Sequence, residues 1–155
     1  MTNPQPGDTA PDFAIAGESG PIGLGDFAGK KLVLYFYPKD DTPGCTTEGK
    51  DFSALVGAFA AADAHVVGVS RDSLAAHGKF RAKHDLMVGL GADTDGAVTE
   101  AYGVWVEKAM YGKTYMGIER ATFLIGRDGR IAQVWHKVKV AGHAAQVLAA
   151  AQALG

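Results

Sequence analysis

Apolar positions along the chain switch between two periods. Lys31-Leu-Val-Leu-Tyr-Phe-Tyr37 is β-branched, aromatic and almost unbroken in its apolarity, which predicts a strand covered on both faces and ended by Pro38. After the loop Lys39–Gly44, the residues Phe52, Leu55, Val56 and Phe59 recur at helical spacing and predict a helix from about Cys45 to Ala62. His65–Ser70 reads as a second strand, Ser73 as the N-cap of a helix through about His84, and Met87–Leu90 as a short third strand. A short helix is expected over Ala97–Tyr102. Ala121–Ile125 and Ile131–Trp135 flank Asp128-Gly129, a hairpin signal, and Val147, Leu148, Ala151 and Leu154 form one stripe on a closing helix over Ala141–Leu154. Ahead of all these lies an irregular, Gly- and Pro-rich segment with a short strand at Asp12–Ala16.

Parallel strands joined by helices, then an antiparallel pair and a last helix, give an α/β chain. The plan is a thioredoxin-like fold, a central mixed β-sheet flanked by helices, with an N-terminal strand extension. A length of 155 residues supports one domain, 1–155, with no internal repeat or long linker.

Charge and cysteine usage narrow the function. Fifteen Lys plus Arg against seventeen Asp plus Glu leave a net charge of -2, with no basic surplus for a nucleic-acid backbone. The densest apolar run, Leu32–Tyr37, is far short of a bilayer span, and the start Met1-Thr-Asn-Pro-Gln-Pro-Gly-Asp lacks the basic and apolar regions of a secretion signal. A cytoplasmic protein without a membrane partner is expected. A single cysteine, Cys45, excludes an intramolecular disulfide framework and any multi-cysteine metal site, and suits a reducing compartment.

Familiar ligand motifs fail. Gly112-Lys113-Thr114 ends like a phosphate-binding loop, but Glu107 stands where its first glycine belongs. Gly89 and Gly91 open a dinucleotide pattern that Thr94 breaks. His65, His77, His84, His136 and His143 show no metal-ligand spacing, so neither a metal nor a cofactor is expected. What remains is Pro38-Lys-Asp-Asp-Thr42-Pro-Gly-Cys45-Thr-Thr-Glu48, a polar turn that carries the only thiol from the end of a buried strand into a helix. A solitary cysteine is commonly an inert small hydrophobe, but such cysteines have apolar neighbours, and this one follows Gly44 and precedes Thr46, Thr47 and Glu48.

A thiol at a helix N-terminus faces unpaired N–H groups and the positive end of the dipole, which favour the nucleophilic thiolate. A fall in pKa from about 8.5 to about 6 raises the thiolate fraction roughly thirtyfold at neutral pH, while the weaker nucleophile returns roughly tenfold. The net gain of about threefold is too small for fast chemistry, so donors must stabilise the transition state. Thr42 and an arginine are the candidates.

On these residues the chain resembles the peroxiredoxins: Pro38, Thr42 and Cys45 fit P-x-x-x-T-x-x-C. Tyr35-Phe-Tyr-Pro-Lys, Thr42-Pro-Gly-Cys-Thr-Thr-Glu48, Gly103-Val-Trp105, Gly112-Lys-Thr-Tyr115 and Gly117-Ile-Glu-Arg-Ala-Thr-Phe-Leu-Ile125 are similar to the bacterioferritin comigratory protein, or peroxiredoxin Q, subfamily. The resemblance implies a thioredoxin fold and an antioxidant thiol peroxidase that reduces hydrogen peroxide and organic hydroperoxides. Cys45 would be the peroxidatic residue, Thr42 would orient the peroxide, Arg120 would hold thiolate and peroxide oxygen together, and Pro38 would shield the sulfur from water. Glu48 either orients Arg120 or complements the helix dipole, and Gly44 supports the turn. Many members carry a resolving cysteine five residues after the peroxidatic one; here that position is Lys50. The resemblance therefore implies a one-cysteine enzyme whose sulfenic acid is reduced by an external thiol: thioredoxin, glutaredoxin or a low-molecular-weight thiol.

Other readings make different demands. A thioredoxin-like interaction or holdase module that has lost catalysis would leave Cys45 unreactive towards stoichiometric peroxide. A cysteine hydrolase needs a histidine base near the thiol, and the motif loop contains none. A glutathione-peroxidase-like enzyme would not arrange Pro38, Thr42 and Arg120 in this way. No stretch marks an obligate interface, so a monomer or weak homodimer is expected.

Overall fold

The strand Lys31–Phe36, β3, is buried at every position and sits near the middle of a seven-stranded sheet. The computed structural model describes residues 3–155; Met1 and Thr2, the start of the amino terminus read as signal-free, lie outside the described residues. Alternation along β3 sends Leu32, Leu34 and Phe36 into one core and Val33, Tyr35 and Tyr37 into the other. This is the two-sided burial that its unbroken apolarity demands.

The remaining strands are β1 (Ala14–Gly17), β2 (Ile22–Gly23), β4 (Ala64–Ser70), β5 (Gly89–Ala92), β6 (Trp105–Met110), β7 (Lys113–Ile118), β8 (Ala121–Ile125) and β9 (Ile131–Trp135). The sheet order is β2-β1-β5-β4-β3-β8-β9. β3, β4 and β5 run parallel, whereas β1, β8 and β9 pair antiparallel with their neighbours. The helices are α1 (Pro43–Ala54), α2 (Val56–Ala61), α3 (Leu74–His84), α4 (Ala97–Ala101) and α5 (His143–Ala153). The core around Tyr35 takes Phe52 and Phe59 from α1 and α2, Phe80 from α3 and Val147 from α5. The opposite core takes Phe13 and Ile15 from the leading segment, with Val98 and Tyr102. The mixed sheet flanked by helices is the fold expected from the sequence.

Several boundaries differ from the expectation. The long helix begins at Pro43, because a missing N–H costs nothing at a helix's first position, and it breaks at Leu55, whose N–H donates to Phe52 O, three residues back, at 3.0 Å. Ser53 and Gly57, both weak helix formers, flank the break. The third strand sits at Gly89–Ala92, two residues beyond its expected place. The hairpin of β6 and β7 was not foreseen. Its turn residues Tyr111 and Gly112 both have positive φ, 53° and 76°, as a two-residue primed turn requires, but Tyr-Gly is a weak signal for one. Its exposed faces also lack the alternation that marks a half-buried strand.

Gly68 on β4 makes room for Tyr35. A Cβ at Gly68 would lie 2.6 Å from Tyr35 Cζ, and that ring is stacked on Phe52 at 4.6 Å between centroids and cannot retreat. Gly68→Ala should therefore lower stability by about 2 kcal/mol and the thermal midpoint by about 6 °C. Gly57→Ala, with nothing within 4 Å of the added methyl, should leave the midpoint equal or higher. Thermal unfolding of the two variants side by side checks this.

Candidate active site

The sheet register builds the site. Phe36 at the end of β3 pairs with Ala121 at the start of β8, so the chain leaving β3 runs beside the residue just before β8, which is Arg120. The loop after β3 then delivers the N-terminus of α1: Thr42 is its N-cap, with Pro43, Gly44 and Cys45 as the first three helical residues. Thr42 does not cap the helix. Its hydroxyl donates to Lys39 O at 2.8 Å, so among the described residues the N–H groups of Gly44 and Cys45 have no backbone or side-chain acceptor. Such N–H groups, with the helix dipole behind them, suit an anion or a ligand oxygen.

Arg120 reaches into this turn. Its Nη2 donates to Cys45 Sγ at 3.4 Å and its Nη1 donates to Glu48 Oε1 at 2.7 Å. Cys45 and Glu48, three residues apart on one helix face, thus share one guanidinium. A Cβ at Gly44 would stand 3.0 Å from Arg120 Nη2, so the absent side chain lets the guanidinium lie against the first turn.

The electrostatics follow from burial. Glu48 is 1% exposed, and burial pushes its pKa up to about 7 even though the charge and hydrogen bond of Arg120 pull it down. Its Oε2 is buried without a partner. Burial also works against the charge of Arg120, but Glu48 and Cys45 outweigh it and hold the guanidinium's pKa above its ordinary value. Two further basic groups flank the site. Lys108 is held below its usual pKa by burial and by Arg120, and His143 is pushed down to about 4 by the same two causes. At neutral pH His143 is an uncharged ring sharing a hydrogen bond with Thr122 Oγ1 at 2.8 Å.

Cys45 is 2% exposed, while the Arg120 side chain is 17% exposed, and Thr42 and Gly44 are half-buried. The sulfur is thus screened from bulk water, with its polar neighbours on the approachable side. Pro38 is half-buried at the end of β3 and lines a cleft of about 380 Å³ with Trp105, Lys108, Met116 and Ile118. Arg120 meets Cys45, Glu48 and Gly44; Thr42 adjoins them through the helix start, and Pro38 stands at the loop's entry. Sequence reasoning missed Lys108, because the hairpin that carries it was not foreseen. Among the described residues no group of three or more His, Cys, Asp or Glu is placed to hold a metal ion.

Residues 6–134 match the AhpC/TSA family. The chain belongs to that family. Its relatives are peroxiredoxins: Peroxiredoxin Bcp of Bacillus subtilis is 50% identical over 143 residues, covering 92% of this chain and 91% of the relative. Peroxiredoxin Bcp of Xanthomonas campestris is 56% identical over 126 residues, covering 81% and 79%. Among solved structures, the Xanthomonas campestris bacterioferritin comigratory protein superposes with a TM-score of 0.90 at 47% identity, covering 99% of this chain and 96% of that one. That structure was determined in trapped intermediate and ligand complexes bearing on its alkyl peroxide reduction activity. In this peroxiredoxin Cys45 is the one cysteine, and exposed Lys50 stands five residues after it.

The raised pKa of Glu48 has a thermodynamic sign. The folded protein holds this proton more tightly than the unfolded chain, so the resulting stability is fully present below about pH 4.5 and is lost as pH rises through about 7. Glu48→Gln removes the titration. Its stability relative to wild type should rise by about 3 kcal/mol across that window, measured by urea unfolding at each pH. Parallel curves for the two proteins would show that the carboxyl ionises as freely folded as unfolded.

Proposed function

We propose that Cys45 is the peroxidatic nucleophile of a one-cysteine thiol peroxidase acting on hydrogen peroxide and organic hydroperoxides, reduced by an external thiol. The observation that carries this reading is the guanidinium of Arg120 held between Cys45 Sγ and a buried carboxylate. A structural cysteine has no need of a fixed cation at hydrogen-bond distance. An in-line attack on an O–O bond does, because negative charge spreads from sulfur to the leaving oxygen. Alkyl peroxides as substrates are supported by the activity named for the Xanthomonas campestris relative.

The thiolate attacks one peroxide oxygen, an S–O bond forms and the O–O bond breaks. The leaving alkoxide, or hydroxide when the substrate is hydrogen peroxide, takes up from solvent the proton that the thiol released and departs as an alcohol or as water. Arg120 supports the sulfur and the developing charge with one rigid fork. Thr42 gives its proton to Lys39 O, so its oxygen is oriented to accept the O–H of the incoming peroxide. The N–H of Cys45 can donate to an oxygen bound at the helix start. Pro38 limits water at the sulfur. The sulfenic acid is then attacked by one external thiol, releasing water and forming a mixed disulfide; a second thiol frees Cys45 and leaves as the disulfide. With Lys50 at the position five residues on, no internal thiol completes the cycle. A thioredoxin, a glutaredoxin or a small thiol of the cytoplasm fits this demand, with the protein acting as a monomer or weak homodimer.

One equivalent of hydrogen peroxide added to the reduced protein should add one oxygen atom to Cys45, followed by intact mass. Arg120→Met should slow this by about 10²–10³ and Thr42→Val by about tenfold or more. Wild-type oxidation no faster than that of a free thiol would leave the inactive thioredoxin-like module as the reading. Variants that match wild type would remove the roles proposed for Arg120 and Thr42.

A further inference from the structure

A carboxylate taken out of water needs donors, and Asp40, buried in the loop between β3 and α1, finds two. Its Oδ1 accepts from the Tyr37 hydroxyl at 2.6 Å, and its Oδ2 lies 2.6 Å from Nδ1 of His77 on α3. The His77 ring is fully buried, and its Nε2 faces Gly91 O of β5 at 2.9 Å. A carboxylate and a carbonyl only accept, so both contacts form when both ring nitrogens carry protons. Burial alone would push the His77 pKa down, but Asp40, the Gly91 carbonyl and Asp72 outweigh it and hold it above the ordinary value.

The groups around the ring agree. Tyr37 directly follows β3, Asp40 comes from the loop, Asp72 from the turn before α3 and the Gly91 carbonyl from β5; none is a cation. The loop is held to the same region by its backbone, since the Asp40 N–H donates to Asp72 Oδ2 at 2.9 Å. The next residue, Asp41, has φ 61° and accepts from Lys83 Nζ and faces His84 Nε2, both at 2.8 Å, but that contact is exposed and screened by salt. Thr42 follows directly.

We propose that His77 is a positioning residue for the reaction at Cys45: by bridging Asp40 to Gly91 it fixes the loop that sets Thr42 and the first turn of α1 against Arg120. The inference rests on the peroxidase reading of Cys45. Loss of one ring proton leaves either the Asp40 carboxylate or the Gly91 carbonyl without its donor. The bridge is therefore intact through the ordinary histidine range and is lost as pH rises through the raised pKa.

The test is the second-order rate of Cys45 oxidation by hydrogen peroxide against pH, for the full chain as wild type, His77→Gln, Asp40→Asn and the double variant. Thermal midpoints and amide exchange over residues 39–46 are measured on each. Wild type should lose rate on the alkaline side. The folded single variants should be about tenfold slower at neutral pH, lack that alkaline loss and exchange faster over the loop, with the double variant no slower than the slower single. If His77→Gln fails to fold, Asp40→Asn and the wild-type pH profile carry the same test. Fast wild-type oxidation with folded variants that keep both rate and pH profile would overturn the proposal and leave the peroxidase reading standing. A uniform slowing with an unchanged pH profile would also overturn it. Wild-type oxidation at the rate of a free thiol would remove the peroxidase reading itself.

Discussion

A largely buried guanidinium needs counter-charge, and in this peroxiredoxin Arg120 divides its two Nη atoms between a carboxylate and a sulfur on one helix turn. Much else in the site answers to that sharing. Glu48 must be buried to meet Nη1, at the cost of a raised pKa and an unpaired Oε2. Gly44 must lack a side chain for Nη2 to lie against the helix start. His143 stays uncharged in the same surroundings, which leaves Arg120 as the cation in contact with the sulfur.

The fold supplies the meeting without local sequence contact. Arg120 and Cys45 are 75 residues apart, yet the antiparallel register of β8 on β3 and the short loop from β3 into α1 place both at one end of the sheet. Parallel β3, β4 and β5 direct their following loops to that same end, where α/β sheets commonly bind ligands. The sulfur is thus reached by a side chain from one neighbour of β3 while its own helix follows from β3 itself. An arrangement fixed by backbone pairing needs little rearrangement when charge develops, which is the condition for electrostatic catalysis.

The sheet strands were legible in the sequence because burial on both faces leaves a continuous apolar run, as in Lys31–Tyr37, and because Asp128-Gly129 is a strong turn signal. The β6–β7 hairpin was not, since a strand pair standing away from the core carries little periodicity and Tyr111-Gly112 reads as an ordinary loop. Within the site, Cys45, Thr42, Pro38, Gly44 and Glu48 lie in one local stretch, and Arg120 was found through the resemblance rather than through spacing. The sequence left Glu48 between two roles; a 2.7 Å contact with Arg120 places it beside the guanidinium, a matter of tertiary geometry that no local pattern encodes. Asp40 and His77 were out of reach for the same reason. Each is a polar residue whose partner lies on another element.

If Glu48 acts on the sulfur only by holding Arg120, the two residues form one unit, and a double-mutant cycle on the rate of Cys45 oxidation measures this directly. Glu48→Gln combined with Arg120→Met should be no slower than Arg120→Met alone, within about twofold. Rate losses that multiply in the double variant would contradict the shared guanidinium as the constraint on which the site depends.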